Sequence, residues 1–169
     1  MRQRTFARKS GPADDQLPPL TAKLRRLGTD TIIVSKDAGD SKVSSSGNMV
    51  IHTVRDQYSG MSLAVPSATK SSERFYHWLK FFAGQGSHPD ILVKSDVDGA
   101  ILKAVHDLGW HTDPSLANRW PHNSIHERHH ETYKSITRSS LLQSGFPSKG
   151  WDLVTTYAST ALSITKGAP

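Results

Sequence analysis

The chain has 169 residues and a formal net charge of +6, from 21 Lys and Arg against 15 Asp and Glu, a length that suits one domain with a substantial core. It contains no cysteine, which excludes disulfides, thiol catalysis and cysteine-containing zinc sites, so metal ligands must be carboxylate, histidine or backbone oxygen. No apolar run of membrane-spanning length and no apolar signal-peptide core occur, and we expect a soluble protein that is not secreted and does not enter a membrane.

The N-terminal segment is basic and has no sustained apolar period. Residues 1–27 carry seven Lys and Arg against Asp14 and Asp15, and Pro18-Pro19 stiffens the approach to the first expected strand. This composition predicts a poorly ordered linker over residues 1–27 and one folded core over residues 28–169. The charge favours a polyanionic partner, and a solvated disordered tail is the alternative.

Three β-branched or apolar runs come next, near residues 29–34, 48–54 and 61–65, and the Ser-, Gly- and Asp-rich segments between them predict two consecutive hairpins. An amphipathic helix is expected after them, with its N-cap at Ser67 or Thr69 and its end at Gly84. Its apolar stripe has spacings i, i+3, i+4 and i+7: Phe75, Trp78, Leu79 and Phe82.

The second half of the chain begins with a compact apolar run typical of a buried strand, at residues 91–94. A helical stripe then ends at Gly109, a short strand is expected at residues 110–112, and a long helix from about Asn123 to Gly145. A last helix is expected after Pro147. This order predicts an α/β fold with a mixed sheet flanked by helices, in which the strand after the first helix returns in parallel through a right-handed crossover.

Three acidic residues stand out by their settings. Asp30 interrupts the first apolar run, Asp96 closes the run that begins at Ile91, and Glu127 lies in the long helix. A carboxylate buried alone is costly, so each needs a cation, a hydrogen-bond donor or water. In the expected sheet, Asp30 and Asp96 lie on neighbouring strands and Glu127 approaches from a helix, which makes a divalent metal the simplest explanation.

The segments around these acids resemble the catalytic core of retroelement integrases, particularly those of copia-type retrotransposons. The resemblance extends from about Gly28 to the C-terminus, with 30 residues (127 − 96 − 1) between Asp96 and Glu127 against about 35 in the family. Thr29-Asp30-Thr31 matches the family's first-strand Asp, Val54-Arg55-Asp56-Gln57-Tyr58-Ser59-Gly60 its second-strand turn, and Lys94-Ser95-Asp96-Val97-Asp98-Gly99 the segment with its second Asp. Asn123-Ser124-Ile125-His126-Glu127-Arg128 matches its Asn-Gly-x-x-Glu-Arg helix. Leu142-Gln143-Ser144-Gly145-Phe146-Pro147 matches its Leu-x-x-Gly-x-Pro bend, and Trp151 matches the Trp beyond that bend.

The resemblance implies a ribonuclease-H-like fold with a five-stranded sheet, three antiparallel strands first and parallel strands added later. It implies DNA 3′-end processing and strand transfer with two Mg²⁺ or Mn²⁺ ions, Asp30 bridging the pair and Asp96 and Glu127 binding one ion each. Double-stranded DNA, both element ends and target, would be the partner of a homo-oligomer located in the nucleus, with a cytoplasmic particle stage. The candidate DNA contacts are Arg128, Lys134 and Arg138, for which a solvated helix face is the alternative.

The chain departs from the family pattern at several positions. Asp98, Ala100 and Ile101 stand where Gly, Glu and Phe are common, and Ser124 replaces the Gly before the catalytic helix. The zinc-binding His/Cys module is missing, and no DNA-binding domain follows Pro169. These departures indicate a core fragment or a decayed element, so an inactive nucleic-acid-binding relic of the fold is an alternative to an active enzyme.

Two further interpretations concern single motifs. His126-Glu127-Arg128-His129-His130 satisfies H-E-x-x-H, the zinc-metalloprotease pattern, but Tyr133 and Ile136 stand where its extended form has Gly and His. Asp56 lies at a strand-end turn, where an Asp commonly caps its own backbone. For His88, His122 and the other histidines we expect ordinary surface or core roles.

Overall fold

The computed structural model describes residues 22–34, 39, 42–114 and 124–165, and only the backbone of residues 114 and 124–127. Every element expected from the sequence occurs, in the expected order. The strands and helices are β1 (Arg26–Ile33), β2 (Val50–Asp56), β3 (Ser62–Ser67), α1 (Ser72–Ala83), β4 (Leu92–Ser95), α2 (Gly99–Asp107), β5 (His111–Pro114), α3 (Ser124–Ser144), a 3₁₀ turn (Ser148–Gly150) and α4 (Trp151–Thr165).

The strands form one mixed sheet in the order β3-β2-β1-β4-β5. The first three strands are antiparallel neighbours, whereas β4 and β5 are added in parallel to β1. The return from β1 to β4 passes through the β2–β3 hairpin and α1. The α/β class and the five-stranded mixed sheet flanked by helices are therefore confirmed.

The alternation of side chains along the strands divides the core into two layers. Leu27 of β1 and Val54 of β2 pack with α1 and α2 in the larger cluster. Ile51 and Ala64 pack with α3 and α4 in the smaller one. Successive residues of a strand face opposite sides of the sheet. Leu27, and with it Thr29, faces α1 and α2, so Asp30 faces α3 and α4.

The N-cap of α1 differs from the prediction. Ser71 holds that position, and its Oγ accepts the N–H of Arg74. Ser67 and Thr69 instead bond each other within the preceding turn, Ser67 Oγ donating to the Thr69 carbonyl at 2.9 Å. Gly84 ends the helix as expected, with φ of 82° that suits glycine.

The first strand begins earlier than expected. β1 starts at Arg26, so the folded core reaches two residues into the segment predicted to be a linker. Leu27 is fully buried and Arg26 pairs with Leu92 of β4, which ties both residues to the sheet. Residues 1–21 of that segment lie outside the described part of the chain.

Among the helices of the described residues, none combines the length and the apolar character needed to cross a lipid bilayer.

Candidate functional site

Asp30 lies in β1 on the sheet face that α3 and α4 cover. Its side chain is 26% exposed, and its Oδ1 accepts the N–H of Thr31 at 2.6 Å. Burial raises the pKa of the Asp30 carboxyl to about 6; the Thr31 N–H and Lys70 lower this pKa, while the carboxylates of Asp96 and Asp98 raise it. Asp30 is therefore a carboxylate kept in a poorly solvated position among other charges.

Asp96 follows the last residue of β4, and β4 lies beside β1. The two strands pair in parallel with Gly28 opposite Lys94, an offset of 66 residues (94 − 28). The same offset brings residue 96 level with residue 30. The Asp96 side chain is exposed and close enough to Asp30 to raise the pKa of that carboxyl. The pairing of β1 with β4 thus places the first two predicted acids within range of each other's charge.

Glu127 lies in the first turn of α3, and its side chain falls outside the described residues. The next turn of α3 carries His130, which is 9% exposed and reaches the same part of the sheet. His130 Nδ1 lies 3.7 Å from Asp30 Oδ2, and His130 Nε2 lies 2.9 Å from Thr53 Oγ1 on β2. The helix that contains the third predicted acid is therefore held to β2 at Thr53, beside Asp30.

The pKa of His130 is lowered to about 4, mainly by burial and also by Lys134, while Glu131 raises it. The imidazole is consequently neutral at pH 7, where most Asp30 carboxyls, with a pKa of about 6, are ionised. His130 and Asp30 do not form an ion pair at this pH.

Asp98 has a structural role beside the site. Its Oδ1 accepts the N–H of Ala100 at 2.9 Å and so caps the N-terminus of α2. Its Oδ2 pairs with the ammonium group of Lys70, from the turn before α1. The residue that departs from the family pattern therefore links two helices and holds a cation near the site.

Replacement of Asp98 by Ala should lower the free energy of unfolding by about 1 kcal/mol, because α2 loses its N-cap. Asp98→Asn keeps an oxygen acceptor for the cap and should cost less than half as much, although it loses the charge that pairs with Lys70. Urea denaturation of the three proteins at pH 7 measures the difference. Equal losses in both variants would show that the ion pair, rather than the cap, is the main contribution.

The donors that the structure places together fit hard divalent ions in part. Two carboxylates, Asp30 and Asp96, lie at neighbouring strands within range of each other's charge, and oxygen ligands of this kind suit Mg²⁺ and Mn²⁺. Over the part of the chain that the structure describes, no three His, Asp or Glu side chains are arranged as a metal-binding group. The Glu127 side chain, the third ligand expected from the sequence, is outside that part.

The three basic candidates do not share one face of α3. At 100° per residue, positions 127, 134 and 138 fall on one helical stripe, whereas position 128 lies about a quarter turn away. Lys134 bonds Glu131 at 2.8 Å and, with the exposed Arg138, lines a groove of about 430 Å³ beside Ile33 at the end of β1. Arg128 is exposed elsewhere on the helix.

Other sequence candidates have structural roles. Asp56 accepts the N–H of Leu24 at 3.2 Å and that of Ser59 at 3.1 Å, so it caps its own turn and fastens the chain before β1. His52 is buried, and its Nε2 lies 3.1 Å from the Thr69 carbonyl. An ordinary core role is confirmed for this histidine.

Sequence reasoning missed His130, Thr53 and Lys70 as neighbours of Asp30. The signal for His130 was its position three residues after Glu127, which puts both on one helix face. Thr53 could have been found only through the pairing of Asp30 with Thr53 across the hairpin. Lys70 carries no such signal, because its place depends on how the turn before α1 meets the N-terminus of α2.

Comparison of the chain with models of known protein families gives no match, and comparison with curated protein sequences gives no significant match either.

Proposed function

We propose that the chain is the catalytic core of a retroelement integrase, which cleaves and joins DNA phosphodiesters with two divalent ions held by Asp30, Asp96 and Glu127. The observation that supports it most is the position of Asp30 and Asp96 at neighbouring parallel strands, within range of each other's charge, with Asp30 facing the helix that contains Glu127. Asp30 is poorly solvated and Asp96 adds a second negative charge near it, so a cation or a proton is needed to compensate their repulsion.

The architecture supports the finer assignment to the ribonuclease-H-like fold. Members of that fold begin with three antiparallel strands and then add parallel strands to the first one. Here β1, β2 and β3 form the antiparallel part, and β4 and β5 extend the sheet from β1. In this arrangement β1 is the central strand, so Asp30 lies between the antiparallel half and the parallel half of the sheet.

The proposed chemistry is an in-line displacement at phosphorus. A water oxygen or a DNA 3′-hydroxyl oxygen forms the new P–O bond while the bond to the leaving 3′-oxygen breaks. The two ions, when bound, would activate the attacking oxygen and stabilise the leaving oxygen. Asp30 would hold both ions, Asp96 and Glu127 one each, and the β-sheet would fix their separation. Water as the nucleophile gives 3′-end processing, and a 3′-hydroxyl gives strand transfer.

DNA would bind along the stripe of α3 that continues from Glu127. Lys134 and Arg138 follow it at seven and eleven positions, so a phosphate backbone that enters the acidic site would meet both cations. Arg128 lies off this stripe and would contact another part of the duplex. Action on two DNA segments, assembly as a homo-oligomer and a nuclear location with a cytoplasmic particle stage belong to the same proposal.

A nicking and joining assay on labelled duplex DNA, in Mg²⁺ or Mn²⁺, tests the proposal. Asp96→Asn and Glu127→Gln should each reduce both reactions at least about 100-fold, because each loses a ligand that stabilises charge in the transition state. Asp107→Asn and Glu73→Gln remove exposed carboxylates from α2 and α1 and should leave the rates within about twofold, since exposed substitutions away from the site change little.

DNA binding by the native chain without metal-dependent nicking would identify an inactive relic of the fold. Bound zinc together with peptide cleavage that depends on Glu127 would instead establish the metalloprotease. Full activity in either Asp96→Asn or Glu127→Gln would refute the proposed set of ligands.

A further inference from the structure

Arg55 of β2 lies on the same face of the sheet as Asp30. Val54 packs with α1 and α2, so Arg55 faces the opposite side of the sheet, where Thr53 contacts α3. Thr53 pairs with Asp30, and Arg55 is two residues further along β2. The side chain of Arg55 therefore starts about 7 Å along the strand from the level of the proposed catalytic acid.

The guanidinium of Arg55 is partly removed from water without an anion to compensate its charge. The side chain is half-buried, and its Nε is fully buried with no hydrogen-bond partner among the described residues. The ion pairs that the structure describes do not include Arg55. Opposite it on the neighbouring strands lie Gly28 and Ser62, which carry no charge. A cation in such a position costs free energy unless an anion binds it.

Lys94 is the second cation of the same row of the sheet. It pairs with Gly28 from the other side, on β4, and Gly28 places no side chain between the two cations. Asp113 of β5 lies opposite Lys94, so that the lysine has an acid beside it. In this row of described residues, Arg55 is the cation without an acidic neighbour.

Two observations locate the end of the Arg55 side chain. A Cβ at Gly60, in the turn between β2 and β3, would lie 3.9 Å from Arg55 Nη2. Burial raises the pKa of Tyr133, on α3, whereas the positive charge of Arg55 lowers it, so the guanidinium is also near this helix. The charge thus lies between α3 and the turn, beyond the N-terminal half of β1 as seen from Asp30.

We propose that Arg55 binds a backbone phosphate of the DNA, on the far side of Asp30 from the basic residues of α3. Those residues, Lys134 and Arg138, line the groove beside Ile33 at the C-terminal end of β1. A guanidinium can bind two oxygens of one phosphate, and the charge-assisted bonds compensate its loss of water. Contacts on both sides of the site would fix the scissile bond between them. This inference rests on the proposed function, to which it adds a phosphate-binding residue.

The salt dependence of DNA binding by the full chain, measured without metal on a labelled duplex, tests the assignment. Each phosphate contact that is lost lowers the slope of log Kobs against log salt concentration by about 0.9. Arg55→Gln should lower the slope by this amount and weaken binding about 10-fold at low salt. Arg55→Lys should restore the slope, because the ammonium still neutralises a phosphate, but not the full affinity, because it lacks the planar fork.

Lys80→Gln is the matched control for the change in net charge. It removes an exposed cation from the last turn of α1, on the other side of the sheet, and should leave the slope and the affinity unchanged. A folded Arg55→Gln protein with the native slope and affinity would overturn the assignment.

The stability of the DNA-free protein separates a binding role from a structural one. Arg55→Met keeps an apolar stem of similar length and removes the uncompensated charge, so its urea midpoint should equal or exceed that of the native protein. A lower midpoint for Arg55→Met would identify a structural arginine and refute the proposal.

Failure of this inference is distinguishable from failure of the proposed function. Native protein that nicks and joins DNA, together with Arg55→Gln protein that binds DNA as tightly as the native one, would overturn the role of Arg55 alone. Native protein that binds DNA through Arg55 but neither nicks nor joins it would keep the phosphate contact and overturn the integrase chemistry.

Discussion

Replacement of Asp30 by Asn should reduce metal-dependent cleavage and joining of DNA at least about 10³-fold, the largest effect expected of any single site residue. Asp30 is proposed to hold both ions, and a neutral amide is a poor ligand for a hard divalent cation. The same substitution should make the metal-free protein more stable at neutral pH. Loss of activity together with a gain in stability separates a functional residue from a structural one.

The gain in stability arises from the raised pKa of Asp30, which is about 6 against an ordinary value of 3.8. Between these pH values the native state keeps a proton that the unfolded chain has lost, so stability falls as pH rises through this range. Above pH 6 the penalty is complete, and it amounts to about 1–3 kcal/mol for a side chain that retains some exposure to solvent. Asparagine never ionises, so Asp30→Asn avoids this penalty.

His130 contributes to the pH dependence of stability with the opposite sign, over nearly the same pH range. Its pKa is lowered to about 4 from 6.5, so the unfolded chain binds the proton more readily and stability rises as pH increases from 4 to 6.5. In the native protein the two contributions oppose each other. In Asp30→Asn only that of His130 remains, and the stability of the variant should rise steeply over this interval.

Urea denaturation without metal at pH 4, 5 and 7 measures both effects. The variant should gain on the native protein as pH rises, and saturating Mn²⁺ should reverse the order at pH 7 because only the native protein gains from binding. An Asp30→Asn protein that is less stable than the native one at pH 7 without metal would contradict the burial of a charged carboxylate.

Replacement of Phe75 by Ala should destabilise the protein by about 3–5 kcal/mol, the largest effect expected in the core. Phe75 is fully buried in the cluster that joins α1 to the sheet, and its ring centre lies 4.2 Å from that of His52 on β2. The substitution leaves a cavity against the strand that also positions Thr53. Thermal and urea unfolding measure the loss, and any fall in activity should follow the folded fraction.

Phe81 is the matched control for Phe75. It lies on the same helix and is 72% exposed, so Phe81→Ala should change stability by no more than about 0.5 kcal/mol. If Phe75→Ala does not fold, Phe75→Leu should still fold and show a smaller loss. Equal losses in Phe81→Ala and a folded Phe75 variant would contradict the layer arrangement.

Much of the fold could be predicted because its signals are local. The stripe that begins at Phe75, the glycines that end α1 and α2 and the β-branched run of β2 each depend on residues that are close together in the chain. Asp30 and Asp96 could be singled out for the same reason, since a carboxylate in or at the end of an apolar run conflicts with its immediate neighbours, whereas Glu127 was singled out by its motif. The N-cap of α1 was predicted wrongly, since Ser71 holds it rather than Ser67 or Thr69. All three residues have suitable side chains, but Ser67 and Thr69 are hydrogen-bonded to each other in the preceding turn.

The sequence by itself therefore determined the order of the elements, the α/β class and the identity of the unusual acids. Only the tertiary structure decided that β4 pairs with β1 at an offset of 66 residues, that His130 and Thr53 adjoin Asp30, and that Asp98 is paired with Lys70. Periodicity and capping depend on neighbours in the chain. Strand pairing and the surroundings of a buried charge depend on the free energy of the whole packed core, which no short segment encodes.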